Sequence, residues 1–121
     1  MITLPPVVRV FVHLGPTDMR RSFDGLAAMV RELIYEDPLS GHLFVFFNRR
    51  RDRVKILFWD RTGLCLWYKR LEQGVFTLPK TSEADQPQRV EMTWVEMSLI
   101  LEGIDLTGAK RRKRFRIRRS A

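Results

Sequence analysis

The spacing of apolar positions changes several times along the chain, and each change marks an element. Val7 to His13, "VVRVFVH", is β-branched and aromatic and predicts a strand, with Pro5-Pro6 before it and Gly15-Pro16 after it. From Met19 the period lengthens. Met19, Phe23, Leu26, Ala27, Val30, Leu33 and Ile34 follow one another at steps of one, three and four, the stripe of an amphipathic helix. Arg20, Arg21, Asp24, Arg31 and Glu32 fall off that stripe. Thr17 or Asp18 is placed to cap the first turn, with pairing to Arg20 or Arg21 the alternative for Asp18, and Met19 and Phe23 are directed to the core. Asp37-Pro38 ends the helix, because the residue before proline is pushed out of helical geometry.

A meander follows. His42–Asn48, Arg53–Asp60 and Leu64–Arg70 predict three strands. Asp60-Arg61-Thr62-Gly63 has the composition of a type I turn closing a hairpin. The other connection, Asn48 to Asp52, is strongly basic. In the middle strand Val54, Ile56 and Phe58 face one way, and Lys55, Leu57 and Trp59 the other, so both sides of the sheet are expected to be covered at least in part. Gly74–Pro79, "GVFTLP", adds a candidate short strand, residues 80–89 read as a polar loop, and Val90–Thr93 reads as a brief strand. Thr93-Trp94-Val95-Glu96 fits a capping box that starts a short helix, and Gly103 is placed to end it. The expected fold is α+β: one domain, a mostly antiparallel sheet with a long amphipathic helix packed on it, a short C-terminal helix and a basic tail.

Composition sharpens this picture in two places. With 121 residues and 45% apolar content, one core can form and two have little room. The net charge of +8 is confined to one end. Residues 1–105 hold 14 Lys/Arg against 14 Asp/Glu, so they are formally neutral. The whole excess lies in 106–121, in Lys110, Arg111, Arg112, Lys113, Arg114, Arg116, Arg118 and Arg119. The chain therefore divides into a domain over 1–105 and a basic, flexible tail over 106–121. A neutral domain with a basic tail points to a polyanionic partner, most simply DNA. Arg49, Arg50, Arg51, Arg53 and Lys55 add a second basic cluster at a hairpin end, where a two-stranded ribbon can reach a groove. Trp59, Trp67 and Tyr68 could stack on unpaired bases, but at strand spacing such residues more often fill a core.

Catalytic chemistry finds little support. His13 and His42 lack a second ligand at metal spacing, and no phosphate loop of Walker or Rossmann type is present. Cys65 alternates with apolar neighbours in a strand and reads as core. As the single cysteine, it excludes an internal disulfide and fits a reducing cytosol. Asp18, Asp24, Asp52 and Asp60 could in principle converge on a metal ion as in a nuclease, yet capping, turns and a helix surface each account for one of them. The expectation is no catalytic residues, no metal and no cofactor. No apolar run is long enough to span a bilayer, and the N-terminal stretch lacks the basic start of a secretory signal.

Several segments, taken in order, carry a resemblance. "GPTDMRRSFDGLA", "DPLSGHLFVFFNRRRDRVKILFWD", "GLCLWYKRLEQGVF" and "LEGID" before a basic run are similar to the Orf2-like accessory proteins, or TnpB proteins, of the IS66 family of insertion sequences. The similarity spans roughly residues 7 to 114. It implies a small cytoplasmic, nucleoid-associated bacterial protein that supports transposition beside a large transposase and another small protein. It implies no catalytic residues. The family segments map here onto Pro16–Arg20 with Phe23-Asp24-Gly25, onto Asn48-Arg49-Arg50, and onto Leu66–Arg70, which makes Asp18, Arg20, Arg21 and Asp24 a candidate surface. One departure is Arg51, where a glycine or small residue is the more usual choice. Three functions follow: a DNA-binding accessory factor, contacting element ends or nonspecific duplex; an adaptor for the transposase; or a carboxylate-dependent nuclease.

Overall fold

The computed structural model describes residues 8–78 and 88–103. Five strands form one sheet: β1 (Val10–His13), β2 (Leu43–Phe47), β3 (Arg53–Trp59), β4 (Leu64–Arg70) and β5 (Arg89–Met92). Their order across the sheet is β4-β3-β2-β1-β5. The β2-β3-β4 meander is antiparallel, as its short turns require. β1 runs parallel to β2, with Val10 opposite Leu43 and His13 opposite Phe46, and β5 closes antiparallel on the far side of β1. The sheet is thus mixed, with its parallel pair at the crossover that carries α1 (Phe23–Met29).

Every residue of β1 and β2 is buried, because both faces are covered. Phe11, Phe44, Phe46 and Leu57 pack against Leu26, Val30 and Ile34 on the α1 side. Val12, Val45, Phe47 and Ile56 pack against Met97 and Ile100 of α2 (Trp94–Leu101) on the other. Each fully buried Phe or Leu contributes on the order of 1.5–3 kcal/mol. Among the described residues Gly74–Leu78 joins no strand of the sheet, so the short strand expected over Gly74–Pro79 does not form there, and Gly74 turns at φ 78°. Phe76 and Leu78 instead insert into the α2-side core.

The long helix expected from Met19 is short. It starts at Phe23, with Ser22 rather than Thr17 or Asp18 at the N-cap position, and after Met29 it widens into a π-helical turn, Val30–Ile34. The Tyr35 N–H bonds the Val30 carbonyl, and Tyr35 itself is left-handed at φ 62°. A wider turn rotates each later side chain back around the axis. Ile34 stays in the core and Met29 joins it, while Leu33 turns out to 43% exposure. Phe23, expected inside, also stands 43% exposed. The end of the turn is held from outside: Arg89 Nη1 donates to the Ile34 carbonyl, and its Nη2 lies 3.6 Å from Glu36.

α2 begins as its sequence predicts. Thr93 Oγ1 accepts from the Glu96 N–H at 3.1 Å, and Glu96 Oε1 accepts from the Thr93 N–H at 2.9 Å. Gly103 follows the helix at φ 91°, a conformation glycine adopts without cost. Thr93→Ala is expected to lower stability by about 1 kcal/mol, read as a shift of the urea midpoint with unchanged slope.

Candidate nucleic-acid interface

The sheet register brings distant parts of the chain to one end. His13 is opposite Phe46 and Arg89, Phe47 is opposite Val54, and Arg53 is opposite Arg70. The last residues of β1, β2 and β4 and the first of β3 and β5 therefore form one row. The loop Leu14–Ser22 crosses the same end, since the Thr17 N–H donates to the Phe47 carbonyl at 2.8 Å. The opening segment "GPTDMRR", the tip "NRRRD" and the end of "LWYKR" thus meet, although 50 residues separate Arg20 from Arg70.

Asn48 builds the tip. Its Oδ1 accepts from the N–H groups of Asp52 and Arg53, and its Nδ2 donates to Asp52 Oδ1 at 2.6 Å. That donation holds the Asp52 carboxyl below its ordinary range, with Arg50 assisting. Arg51 has φ 61°, which explains why a glycine suits this position. The strain is compensated by bonds of Arg51 itself: its carbonyl accepts from the Phe76 N–H at 2.7 Å and its Nη2 donates to the Leu14 carbonyl at 3.3 Å. Arg49 and Arg50 are exposed, and Arg50 has only a 3.9 Å contact with Asp52. The opposite hairpin is also left-handed, at Arg61 with φ 87°, so Asp60–Gly63 is not a type I turn.

Lys55 separates from this cluster. Only 6% of it is exposed. Its side chain faces α1, and Nζ donates to the Met19 and Arg21 carbonyls at 2.7 and 2.8 Å while lying 4.6 Å from the centre of the Tyr68 ring. Its charge straps the opening loop to the sheet, and its ammonium is buried under that loop and not displayed at the tip. Arg53 is intermediate, half-buried with Nη1 at 3.3 Å from the Tyr68 hydroxyl.

Asp18 does not cap a helix. It takes a bidentate contact from the Arg20 guanidinium, 2.7 Å at its shortest, and accepts from the Arg20 N–H. These bonds hold its carboxyl down to about 2. Arg20, Arg21 and Asp24 are exposed. The four carboxylates do not gather at one place, since Asp60 lies at the opposite end of β3 from Asp52. Backbone N–H groups and the Cys65 thiol lower Asp60, while burial and Asp60 push that thiol up. No group of three or more His, Cys, Asp or Glu able to hold a metal is present among the described residues. His13 is buried, with its imidazole pushed below the ordinary range by desolvation, and its Nδ1 and Thr17 Oγ1 have no partner among the described residues.

Sequence reasoning missed Arg70 and Lys69 as members of this end. Only the register supplies them, because it sets Arg70 beside Arg53. Lys69 Nζ donates to the Leu101 carbonyl at 3.1 Å, so α2 ends, and the chain leaves at Gly103, beside β4. Lys110, Arg111, Arg112, Lys113, Arg114, Arg116, Arg118 and Arg119 lie outside the described residues, as does most of the polar loop expected over 80–89. Among the described residues no helix is long and apolar enough to cross a membrane. Trp67 and Tyr68 stand 42% and 48% exposed on opposite faces of β4.

No solved structure matches the chain. Two curated proteins of Sinorhizobium fredii (strain NBRC 101917 / NGR234) are similar along most of their length. Uncharacterized protein y4jC is 36% identical over 105 residues, covering 87% of this chain and 86% of its own. Uncharacterized protein y4hO is 38% identical over 98 residues, covering 81% and 82%. The model of the IS66 Orf2-like proteins matches residues 8–111, which takes in the whole sheet, both helices and the row of arginines, and the chain belongs to that family.

Proposed function

We propose that this chain is a non-catalytic DNA-binding accessory factor in the transposition of an insertion sequence, acting in the cytoplasm beside the transposase and the element's other small protein. The observation that carries the reading is the gathering of arginines from three separate segments at one sheet end, with the last turn of α2 bonded to Lys69 of the neighbouring β4. Arg49 and Arg50 project there, with Arg20, Arg21 and Arg70 around them. The tail supplies sequence-independent phosphate contacts, and the tip orients the domain on the duplex. Asp18, Asp52 and Asp60 each sit in bonds that favour their ionised form, which suits structural carboxylates better than proton-transferring ones.

The test is binding of the full chain to element-end DNA and to a scrambled duplex across a salt series. Arg49→Ala with Arg50→Ala should reduce the slope of log affinity against log salt by about 1.8, two phosphate contacts' worth, leaving the melting curve in place. An unchanged slope removes the tip from the interface. The same preparation should leave DNA uncut with magnesium or manganese. Cleavage abolished by Asp18→Asn or Asp24→Asn would replace this reading with the nuclease. The adaptor reading is favoured by one feature, the exposed Phe23 beside Arg21. It takes over if the isolated chain binds the transposase but neither duplex.

A further inference from the structure

β4 forms one edge of the sheet. The ladder between β3 and β4 runs one-to-one from Arg53–Arg70 to Trp59–Leu64 without a bulge. At its two ends the Leu71 N–H donates to the Asp52 carbonyl and the Asp60 N–H to the Gly63 carbonyl. Hydrogen-bonded pairs alternate in an antiparallel ladder, so the backbone groups of Cys65, Trp67 and Lys69 point to β3. Those of Leu64, Leu66, Tyr68 and Arg70 point away from the sheet. Among the described residues nothing pairs with them. Exposed edges are commonly blunted by charge, proline, bulges or short length. β5, the other edge, has four residues, two of them charged. β4 has seven, and Leu64 to Tyr68 are all uncharged.

We infer that two copies of this chain pair antiparallel through β4, about a two-fold axis at Trp67, to continue the sheet from one copy into the other. This register sets Leu64 opposite Arg70 of the second copy and Leu66 opposite Tyr68, so every outward N–H and C=O of both strands finds a partner. Shifting the register by two residues in either direction leaves some of them unpaired. Trp67 meets its own copy in a non-hydrogen-bonded pair, the closer kind, where aromatic side chains contact best. Charge fits as well. The only cations of the strand, Lys69 and Arg70, oppose Cys65 and Leu64, so no cation faces another. Trp67 also lines a groove of about 320 Å³ between β4 and α2, with Ile56, Phe58 and Trp94, and the second copy's indole lies over its mouth. The contact is isologous and closes on itself as a dimer.

The experiment is sedimentation of the full chain from ~1 to ~100 μM, where an interface of modest size associates. A concentration-dependent dimer is expected. Trp67→Lys, which opposes two ammonium groups on the axis, should weaken it at least tenfold. Tyr68→Pro, which removes an outward donor but no bond to β3, should do the same. Thermal melting identifies either variant that fails to fold. In a Cys65→Ser background, Trp67→Cys should form a crosslinked dimer on mild oxidation, and Val75→Cys, exposed but off the strand, should not. A monomer at every concentration, a dimer indifferent to Trp67→Lys, or equal crosslinking at both positions overturns the inference.

Discussion

Removal of residues 108–121 is expected to abolish most DNA affinity and most of its salt dependence, equally for any sequence. The deleted segment contains all eight cations that exceed the anions of the chain, and residues 1–105 are formally neutral. Eight neighbouring charges cannot all reach phosphates at once. About five contacts would give a slope near 4.5 on a log-log plot. Between 50 and 200 mM salt, a slope of that size means a loss of roughly 500-fold from the tail alone, multiplied by whatever the tip contributes. The shortened chain, left with the tip and its slope of about 1.8, should lose only about 12-fold over the same range. Fluorescence anisotropy on one labelled duplex measures both. Equal affinity and equal slope for the two proteins would make the tail a contact for protein instead, and the transposase becomes the partner to test against it.

The second large effect is expected at Lys55. Lys55→Met keeps the aliphatic stem and removes the ammonium that satisfies the Met19 and Arg21 carbonyls. A buried acceptor left unpaired costs about 1–3 kcal/mol, and water can reach part of this loop, so a loss of about 2–3 kcal/mol is expected. For a fold of this size that is a fall in melting temperature of ~10 °C or more. Amide exchange adds a local signature: protection should drop first at the loop end of the sheet, around the Thr17 N–H that bonds Phe47. Full stability and unchanged exchange in the variant would mean that the loop holds itself and the ammonium is incidental. A lysine that acted on DNA instead would change affinity and leave melting alone.

Reading the sequence succeeds where the signals are local. The start and stop of α2 were legible because Thr93, Glu96 and Gly103 act within a few residues of themselves. The meander was legible because its strands alternate between short turns. The first helix was misread at both ends. Phe23 and Leu33 obey a 3.6-residue period, but the π turn follows a longer one, and nothing in the local spacing announces Tyr35 in the left-handed region or Arg89, 55 residues on, at the Ile34 carbonyl. Lys55 was grouped with the tip for its charge. Its strand phase, shared with the fully buried Leu57, was the available sign that it points under α1. The row of arginines was only half visible, because pairing across the sheet brings Arg70 to Arg53, and pairing is a long-range fact.

The placement of β5 has a consequence for the order in which the molecule is made. β2, β3 and β4 are joined by short turns and can assemble as soon as they are synthesised. β1, near the beginning of the chain, has to wait. Its partner on one side follows a helical crossover, and its partner on the other is β5, where Val10 meets Met92 across more than eighty intervening residues. Contacts so far apart in sequence form slowly, because the closure entropy precedes any gain from the contact. Until Arg89–Met92 emerges, an apolar strand of Val10, Phe11 and Val12 has a bare edge, and a nascent chain stalled before that point would be prone to stick to its neighbours.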